Sequence, residues 1–441
     1  MVGMDNRTIF ALSTGSLPSG VAVIRLSGPR METVVAKLCG SLPKPRQASL
    51  RTIHLSNGQV LDSGLVIVFP GPASFTGEDC AEFHVHGSRA VVSALLDELA
   101  SFPECRLAEA GEFSRRAFEN GKLDLIEIEG LADLLAAETE MQRRQAIEQA
   151  SGHASALYDG WRKSLLHARA MIEAELDFAD ESDVPGSVSN QIWQEVDKLR
   201  QSLQQSLAGE KSGEIIRDGF KVVIAGAPNA GKSSLMNGLA RRDIAIVTNI
   251  AGTTRDVLHC DLDLEGYAVR LYDTAGLRET DEIVEREGIR RALKTVEEAD
   301  LVLYLQDMTG GDFSSALSHE TAPVLKIGTK KDLVPGKSDE AYSLTICTSN
   351  DADLDEVRSL LLLELRKRLD LSASVIPSRL RQRECLRHAL GHLEASMQAH
   401  LPLEIRADEL RAAADHLSRL IGRIDTEMLL GKIFSEFCIG K

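Results

Sequence analysis

The sequence predicts a multidomain protein of α/β plus all-α class, in which a helical body is interrupted by an inserted P-loop α/β domain. Three observations predict it. Short strand-type runs closed by turn residues fill residues 1–119. Apolar residues at helical spacing fill residues 120–216 and return over residues 371–441. Between these two helical stretches, residues 217–370 alternate strands and helices around the run KVVIAGAPNAGKSS, Lys221 to Ser234.

In the N-terminal block, Val21–Leu26 and Leu65–Phe69 read as strands, closed by Ser27-Gly28-Pro29 and Pro70-Gly71-Pro72. Glu82-Phe83-His84-Val85-His86 alternates strictly, so Glu82, His84 and His86 share one face and Phe83 and Val85 the other. Ala90 to Leu99 reads as a helix. Arg25 or Glu82, if buried, would need a partner and so would be a candidate ligand contact; a solvated strand face is the competing reading. The H-x-H pair has no third ligand at a recognisable spacing, which argues against a metal site.

From Lys122 the periodicity changes. Leu123, Ile126, Leu131, Leu134 and Leu135 open a long helical pattern that continues past Trp161, Leu165, Ile172 and Leu176. Val184-Pro185-Gly186-Ser187 breaks it and Ile192 to Leu207 resumes it; Arg379 to His400 and Leu410 to Leu420 are helical again. A P-loop domain inserted in such a body is a transmission layout, because motion at the nucleotide can lever the helices.

The central stretch has the form G-x-x-x-x-G-K-S between a strand and a helix. Its glycines let successive backbone N–H groups converge on one anion, and the helix N-terminus adds partial positive charge. Lys232 would reach the β- and γ-phosphates and Ser233 a Mg²⁺ ion. Asp273-Thr274-Ala275-Gly276 follows the strand Val269–Tyr272, placing a carboxylate near the Mg²⁺ and a glycine N–H near the γ-phosphate. In Gly252-Thr253-Thr254-Arg255-Asp256, between the two, a threonine could cap the Mg²⁺ as a switch. Thr329-Lys330-Lys331-Asp332 suits a base-recognition loop. Asp332 can accept two hydrogen bonds from guanine, whereas adenine would leave it unpaired, so GTP is preferred over ATP. Leu277 occupies the position of a water-orienting glutamine, so another group must do that work. The acidic stretch Glu279–Glu287 supplies candidates, or is a solvated switch helix.

The totals constrain the class. The chain has 441 residues, 43% apolar and 26% charged, as in ordinary globular proteins. A formal net charge of −16 argues against non-specific coating of nucleic acid, though not against an RNA held on a local patch. Seven cysteines without a C-x-x-C pair suggest reduced thiols. With no signal pattern and no apolar run of bilayer length, the expected setting is cytoplasmic.

The motifs carry a resemblance. Pro228-Asn229-Ala230-Gly231-Lys232-Ser233-Ser234, TNIAGTTRD from Thr248, DTAGLRE from Asp273 and the terminal Cys438-Ile439-Gly440-Lys441 resemble the bacterial and organellar tRNA-modification GTPases of the MnmE (TrmE) family. So do FTGED from Phe75, GEFS from Gly111, KLDL from Lys122 and LLGKIF from Leu429, so the likeness spans essentially the whole chain. It implies an N-terminal folate-binding and dimerisation domain (1–119), a central helical domain (120–216 and 371–441), and an inserted Ras-like G domain (217–370). It implies a homodimer whose G domains meet to hydrolyse GTP with K⁺ in place of an arginine finger. The K⁺ positions would be Asn229, Thr248, Ile250 and Thr253, and the Mg²⁺ ligands Ser233 and Thr254. Glu285 matches the carboxylate that positions the attacking water. Ala230, Gly231, Ser234, Asn249, Ala251, Gly252, Thr274, Ala275, Gly276 and Thr329 complete the implied GTP contacts.

The resemblance further implies an FAD-dependent partner, MnmG (GidA), with which the protein would add a carboxymethylaminomethyl or aminomethyl group at C5 of the wobble uridine of certain tRNAs. The carbon would come from 5-formyltetrahydrofolate or a related reduced folate, contacted by Arg25, Glu82, Lys122 and Lys441. Cys438 either faces that chemistry or is a buried structural thiol. Three stretches depart from the family pattern. Thr329 stands where N-K-x-D has asparagine, which predicts weaker nucleotide binding with specificity kept. Cys347-Thr348-Ser349 is a degenerate form of a Ser-Ala-Lys-like loop, and Leu17–Val21 lacks the arginine- and glycine-rich form. A GTP switch in ribosome assembly without modification chemistry is the competing function, and an ATP-dependent P-loop enzyme a third.

Overall fold

The structure, a computed structural model, describes residues 7–177, 187–242, 259–273, 299–310, 322–334, 341–370, 372, 375–423 and 440. The chain gathers into two compact units, one of Met1–Ala132, Gln149–Arg162 and Leu417–Lys441, the other of Asp133–Glu148 and Lys163–His416.

In the first unit, strands β1 (Thr8–Leu12), β2 (Ser19–Ser27), β3 (Ser49–His54), β4 (Val60–Phe69), β5 (Cys80–Gly87) and β6 (Cys105–Leu107) form one sheet in the order β3-β4-β5-β2-β1-β6. Every pairing is antiparallel except β1 with β6. Helices α1 (Met31–Cys39) and α2 (Arg89–Ala100) bury Val34, Val35, Leu38, Val92, Leu95 and Leu99 against Ile24, Leu26, Ile53, Phe83 and Val85. The one-in-three-or-four spacing on the helices meets the one-in-two spacing on the strands, and that is what makes this a core. Ser88 caps α2, its hydroxyl accepting from Val91 N at 3.2 Å, and Gly40 ends α1 in the left-handed conformation. The strands expected at Val21–Leu26 and Glu82–His86 are the centres of β2 and β5, and Leu65–Phe69 is the second half of β4, which starts earlier, at Val60. The alternation of β5 holds: Phe83 and Val85 are buried, Glu82 and His84 half-buried, and His86 exposed.

The helical pattern after Lys122 is not one long run. Helix α3 (Glu112–Glu119) precedes Lys122, and after it come α4 (Leu125–Ala136), α5 (Glu140–Ala150) and α6 (His153–Asp177). The break after α4 is a capping arrangement in which Gln142 Oε1 accepts from Glu138 N and Thr139 N at 2.9 and 3.0 Å. The break after α5 falls at Gly152, whose φ is +79°. Apolar spacing at Leu134 and Leu135 and again from Trp161 carried the expected run across both stops. The Val184–Gly186 breaker lies outside the described residues.

In the second unit, α7 (Ser187–Ala208) and α8 (Glu210–Asp218) lead into β7 (Phe220–Gly226) and α9 (Lys232–Arg242). There follow β8 (His259–Leu264), β9 (Tyr267–Asp273), β10 (Leu301–Asp307), β11 (Val324–Thr329), β12 (Leu344–Ile346), α10 (Asp351–Arg366), α11 (Leu380–Ser396) and α12 (Leu403–Leu420). The sheet order is β12-β11-β10-β7-β9-β8, parallel throughout except for the edge strand β8. Buried on both faces, its strands read as near-continuous apolar runs such as Val222-Val223-Ile224. No helix among the described residues is long and apolar enough to cross a membrane.

Candidate active site

A parallel sheet delivers all its strand C-termini to one edge, and ligands bind there. Here that edge collects Gly226 from β7, Asp273 from β9, Asp307 from β10, Thr329 from β11 and Cys347 after β12. Gly226 has φ +148°, and a Cβ built on it would lie 2.3 Å from Leu305 O, so no other residue fits there. Gly231 and Asn229 also adopt positive φ, +94° and +65°. Asparagine tolerates that conformation, and Asn229 is exposed at the loop.

Lys232 opens α9 and is only 7% exposed. Its Nζ donates to Gly226 O at 2.9 Å and to Ala227 O at 3.0 Å, so the loop's own carbonyls hold the ammonium at the phosphate position. Ser233 Oγ donates to Asp273 Oδ2 at 2.9 Å. This places two hard oxygen donors side by side at a helix N-terminus, the donor set Mg²⁺ takes between protein and phosphate oxygens. Ala230 is buried and Ser234 is exposed in the first turn of α9.

Thr329 is fully buried. Its Oγ1 lies 2.8 Å from Ala230 O, to which it donates, and 3.2 Å from Gln306 O, so β11, which leads into the expected base-recognition turn, is tied to the glycine-rich loop. The hydroxyl standing in place of an amide therefore keeps a cross-brace to the P-loop. Lys330, at φ +60°, pairs with Asp307, and that hydrogen bond together with one from Thr309 holds the Asp307 carboxyl down to about 2. Asp332 stands exposed in a single 3-10 turn, Lys331–Leu333, where its carboxylate is open to a base. Asp307 was not among the residues expected from sequence, because its pairing with Lys330 joins the ends of two different strands. Thr248, Asn249, Ile250, Ala251, Gly252, Thr253, Thr254, Thr274, Ala275, Gly276 and Glu285 lie outside the described residues.

Strands β8 and β9 run between the two stretches expected to switch with the nucleotide. Their turn is held by a helix: Met141 N, at the start of α5, donates to Gly266 O at 3.0 Å. Beside it, a cavity of about 190 Å³ is lined by Asp133, Glu138, Gln142, Arg217 and Arg270 among others. Burial, and then the nearby Asp261, push the Glu138 carboxyl up. Gln142 Nε2 donates to Arg217 O at 3.0 Å, just ahead of β7. The body that carries the nucleotide edge is thus in direct contact with α5.

In the other unit, Arg25 and Glu82 are register partners on β2 and β5 and form an ion pair at 3.0 Å, with side chains 18% and 19% exposed. The pairing answers the desolvation cost that made them candidates. The Arg25 guanidinium lies 5.3 Å from the centre of the Phe75 ring, which is itself 37% exposed. Gly77, two residues on, sits against Lys122, whose Cγ would be 3.3 Å from a Cβ at Gly77. Ser13 Oγ donates to Gly440 O at 3.0 Å, so the chain terminus reaches the end of β1. A charged pair beside an open aromatic ring suits a flat heterocycle with ring N–H groups and carboxylates. Lys441 and Cys438 lie outside the described residues. His84 faces Glu82 at 3.3 Å and His86 faces Asp62 at 2.8 Å, so the two histidines serve separate carboxylates.

Comparison with known proteins adds to this geometry. The MnmE helical domain matches residues 125–438, and the GTP-binding protein TrmE N-terminus matches residues 8–122. A tRNA modification GTPase MnmE of Rhizobium meliloti is 58% identical over 439 residues, covering 99% of this chain and 100% of the relative. One of Brucella canis is 51% identical over 441 residues, covering 100% and 99%.

Proposed function

The chain belongs to the MnmE family of tRNA modification GTPases, and from that premise we propose that it is a Mg²⁺-dependent, potassium-activated GTPase coupled to folate-linked modification of the wobble uridine. Hydrolysis of GTP in tRNA modification is the activity of the family. The observation that carries the nucleotide half is the convergence of Lys232, Ser233, Asp273 and Thr329 on one sheet edge.

Lys232 would exchange the two loop carbonyls for phosphate oxygens, a transfer that costs little because the ammonium is already aimed at that spot. Ser233 and Thr254 would hold Mg²⁺, with Asp273 behind Ser233. Asn229, Thr248, Ile250 and Thr253 would hold K⁺. Bound against the phosphates, these cations offset the charge that develops during cleavage. Glu285 would orient the attacking water in place of the glutamine that Leu277 replaces. Asp332 would accept from the guanine N1–H and 2-amino groups. In the other unit, Arg25, Glu82, Lys122 and Lys441 would hold the reduced folate. A homodimer acting in the cytoplasm with the FAD-dependent MnmG (GidA) protein would then add the aminomethyl or carboxymethylaminomethyl group.

Mass spectrometry of tRNA from a deletion strain tests the whole reading. Loss of the C5 modification at the wobble uridine is expected, and an unchanged modification profile would reject it. For the hydrolytic step, Glu285→Ala should keep GTP affinity while turnover falls by a factor on the order of a hundred or more. Undiminished turnover would remove Glu285 from the role.

A further inference from the structure

Neither loop flanking the expected guanine position has the usual sequence: Thr329 leads one, and Cys347-Thr348-Ser349 forms the other. Yet one carboxylate joins them. Asp353, in the first turn of α10, has a side chain only 4% exposed. It accepts from Lys331 Nζ at 2.7 Å through one oxygen and from the backbone N–H of Cys347 at 2.6 Å through the other. Asn350 caps the helix, its Oδ1 accepting from Ala352 N at 3.0 Å, so the position of Asp353 is fixed from below.

The base-recognition turn needs such support. No residue of Lys331–Leu333 is buried, so packing does not set its position. Among the described residues, polar tethers do: the Thr329 hydroxyl to the phosphate loop, Lys330 to Asp307, and Lys331 to Asp353 and, at 3.4 Å, to Thr345 O. Among them, only the Asp353 tether also takes a hydrogen bond from the second loop. Asp353 sits at the helix N-terminus, and its hydrogen bond raises the pKa of Lys331.

We propose that Asp353 is a positioning residue for guanine recognition, holding the Lys330–Val334 turn and the Cys347–Asn350 loop at one fixed separation through Lys331 and the Cys347 amide. The proposal rests on the reading of Asp332 as the guanine-accepting carboxylate. Asp353 acts through its neighbours and touches neither the base nor the phosphates. Its loss should therefore weaken ground-state binding and leave the cleavage step in place, because the freed loops must be ordered anew on each binding event.

The test measures mant-GDP affinity and GTP turnover for the full chain and for Asp353→Asn, Lys331→Met and the double variant. For Asp353→Asn, the mant-GDP Kd and the KM for GTP should both rise about tenfold, with kcat at saturating GTP within about twofold of the parent. Lys331→Met should raise Kd by a smaller factor, and the double variant should be little weaker than Asp353→Asn, because the two share one ion pair and Lys331 makes besides it the longer 3.4 Å contact to Thr345 O. Asp353→Glu should recover part of the affinity. If Asp353→Asn fails to fold, Lys331→Met, whose side chain is 41% exposed, carries the test alone. An unchanged Kd in Lys331→Met and Asp353→Asn, or a loss confined to kcat, overturns the proposal. A parent chain that does not bind mant-GDP overturns the nucleotide reading itself, and this inference with it.

Discussion

Two six-stranded sheets in this chain solve the same problem in different ways. The parallel sheet of the second unit puts its polar residues at the ends of strands, where loops from β7, β9, β10, β11 and β12 meet. The antiparallel sheet of the first unit puts Arg25, Glu82 and His84 on its face, half-buried between neighbouring strands. An edge site is built mostly by backbone, so its glycines and its helix N-terminus are fixed by local conformation. A face site is built by side chains whose partners are set by strand register, and a one-residue slip would move every one of them to the opposite side.

The sharpest way to break the comparison is to disable each site alone. Lys232→Met should reduce GTP hydrolysis by a factor on the order of a thousand, since the phosphate position loses its buried cation. Reduced-folate binding, measured by equilibrium dialysis, should stay unchanged. Arg25→Ala should do the reverse, abolishing detectable folate binding and leaving Glu82 without its cation at a cost of about 1–3 kcal/mol of stability. If either variant damaged both activities of the isolated chain equally, the two sites would not be separate pieces of chemistry. A smaller effect sharpens the edge site. Thr329→Val keeps the shape but removes the donor to Ala230 O, a buried contact whose loss is worth about 1–2 kcal/mol. Nucleotide affinity should fall severalfold while preference for GTP over ATP persists, and a loss of that preference would move the specificity role from Asp332 to Thr329.

How much of this was legible follows from the same contrast. The phosphate loop could be read directly, because Gly226, Gly231 and Lys232 are dictated by a local turn and the helix that follows. The tie from Thr329 to Ala230 could not, since it joins residues 99 positions apart through the order of β11, β10 and β7. Asp307 and Asp353 were missed for the same reason: each is recognisable only once a lysine from another loop is seen to land on it. On the face site, alternation placed Glu82 and His84 on one side, and only the pairing of β2 with β5 brings Arg25 opposite Glu82. In the helical body, Thr139 with Gln142 and then Gly152 were the readable stop signals, outweighed by the apolar spacing on either side of the polar segment α5.

The central claim, that a monovalent cation held at Asn229 completes the hydrolytic site, is tested most directly by the rate of GTP hydrolysis in potassium chloride against sodium chloride at equal ionic strength. The account predicts turnover in potassium at least about tenfold faster, because a site sized for K⁺ holds the smaller Na⁺ poorly and so loses stabilisation of the transition state worth on the order of 1.4 kcal/mol or more. Equal rates in the two salts would contradict it and take Asn229 out of the site.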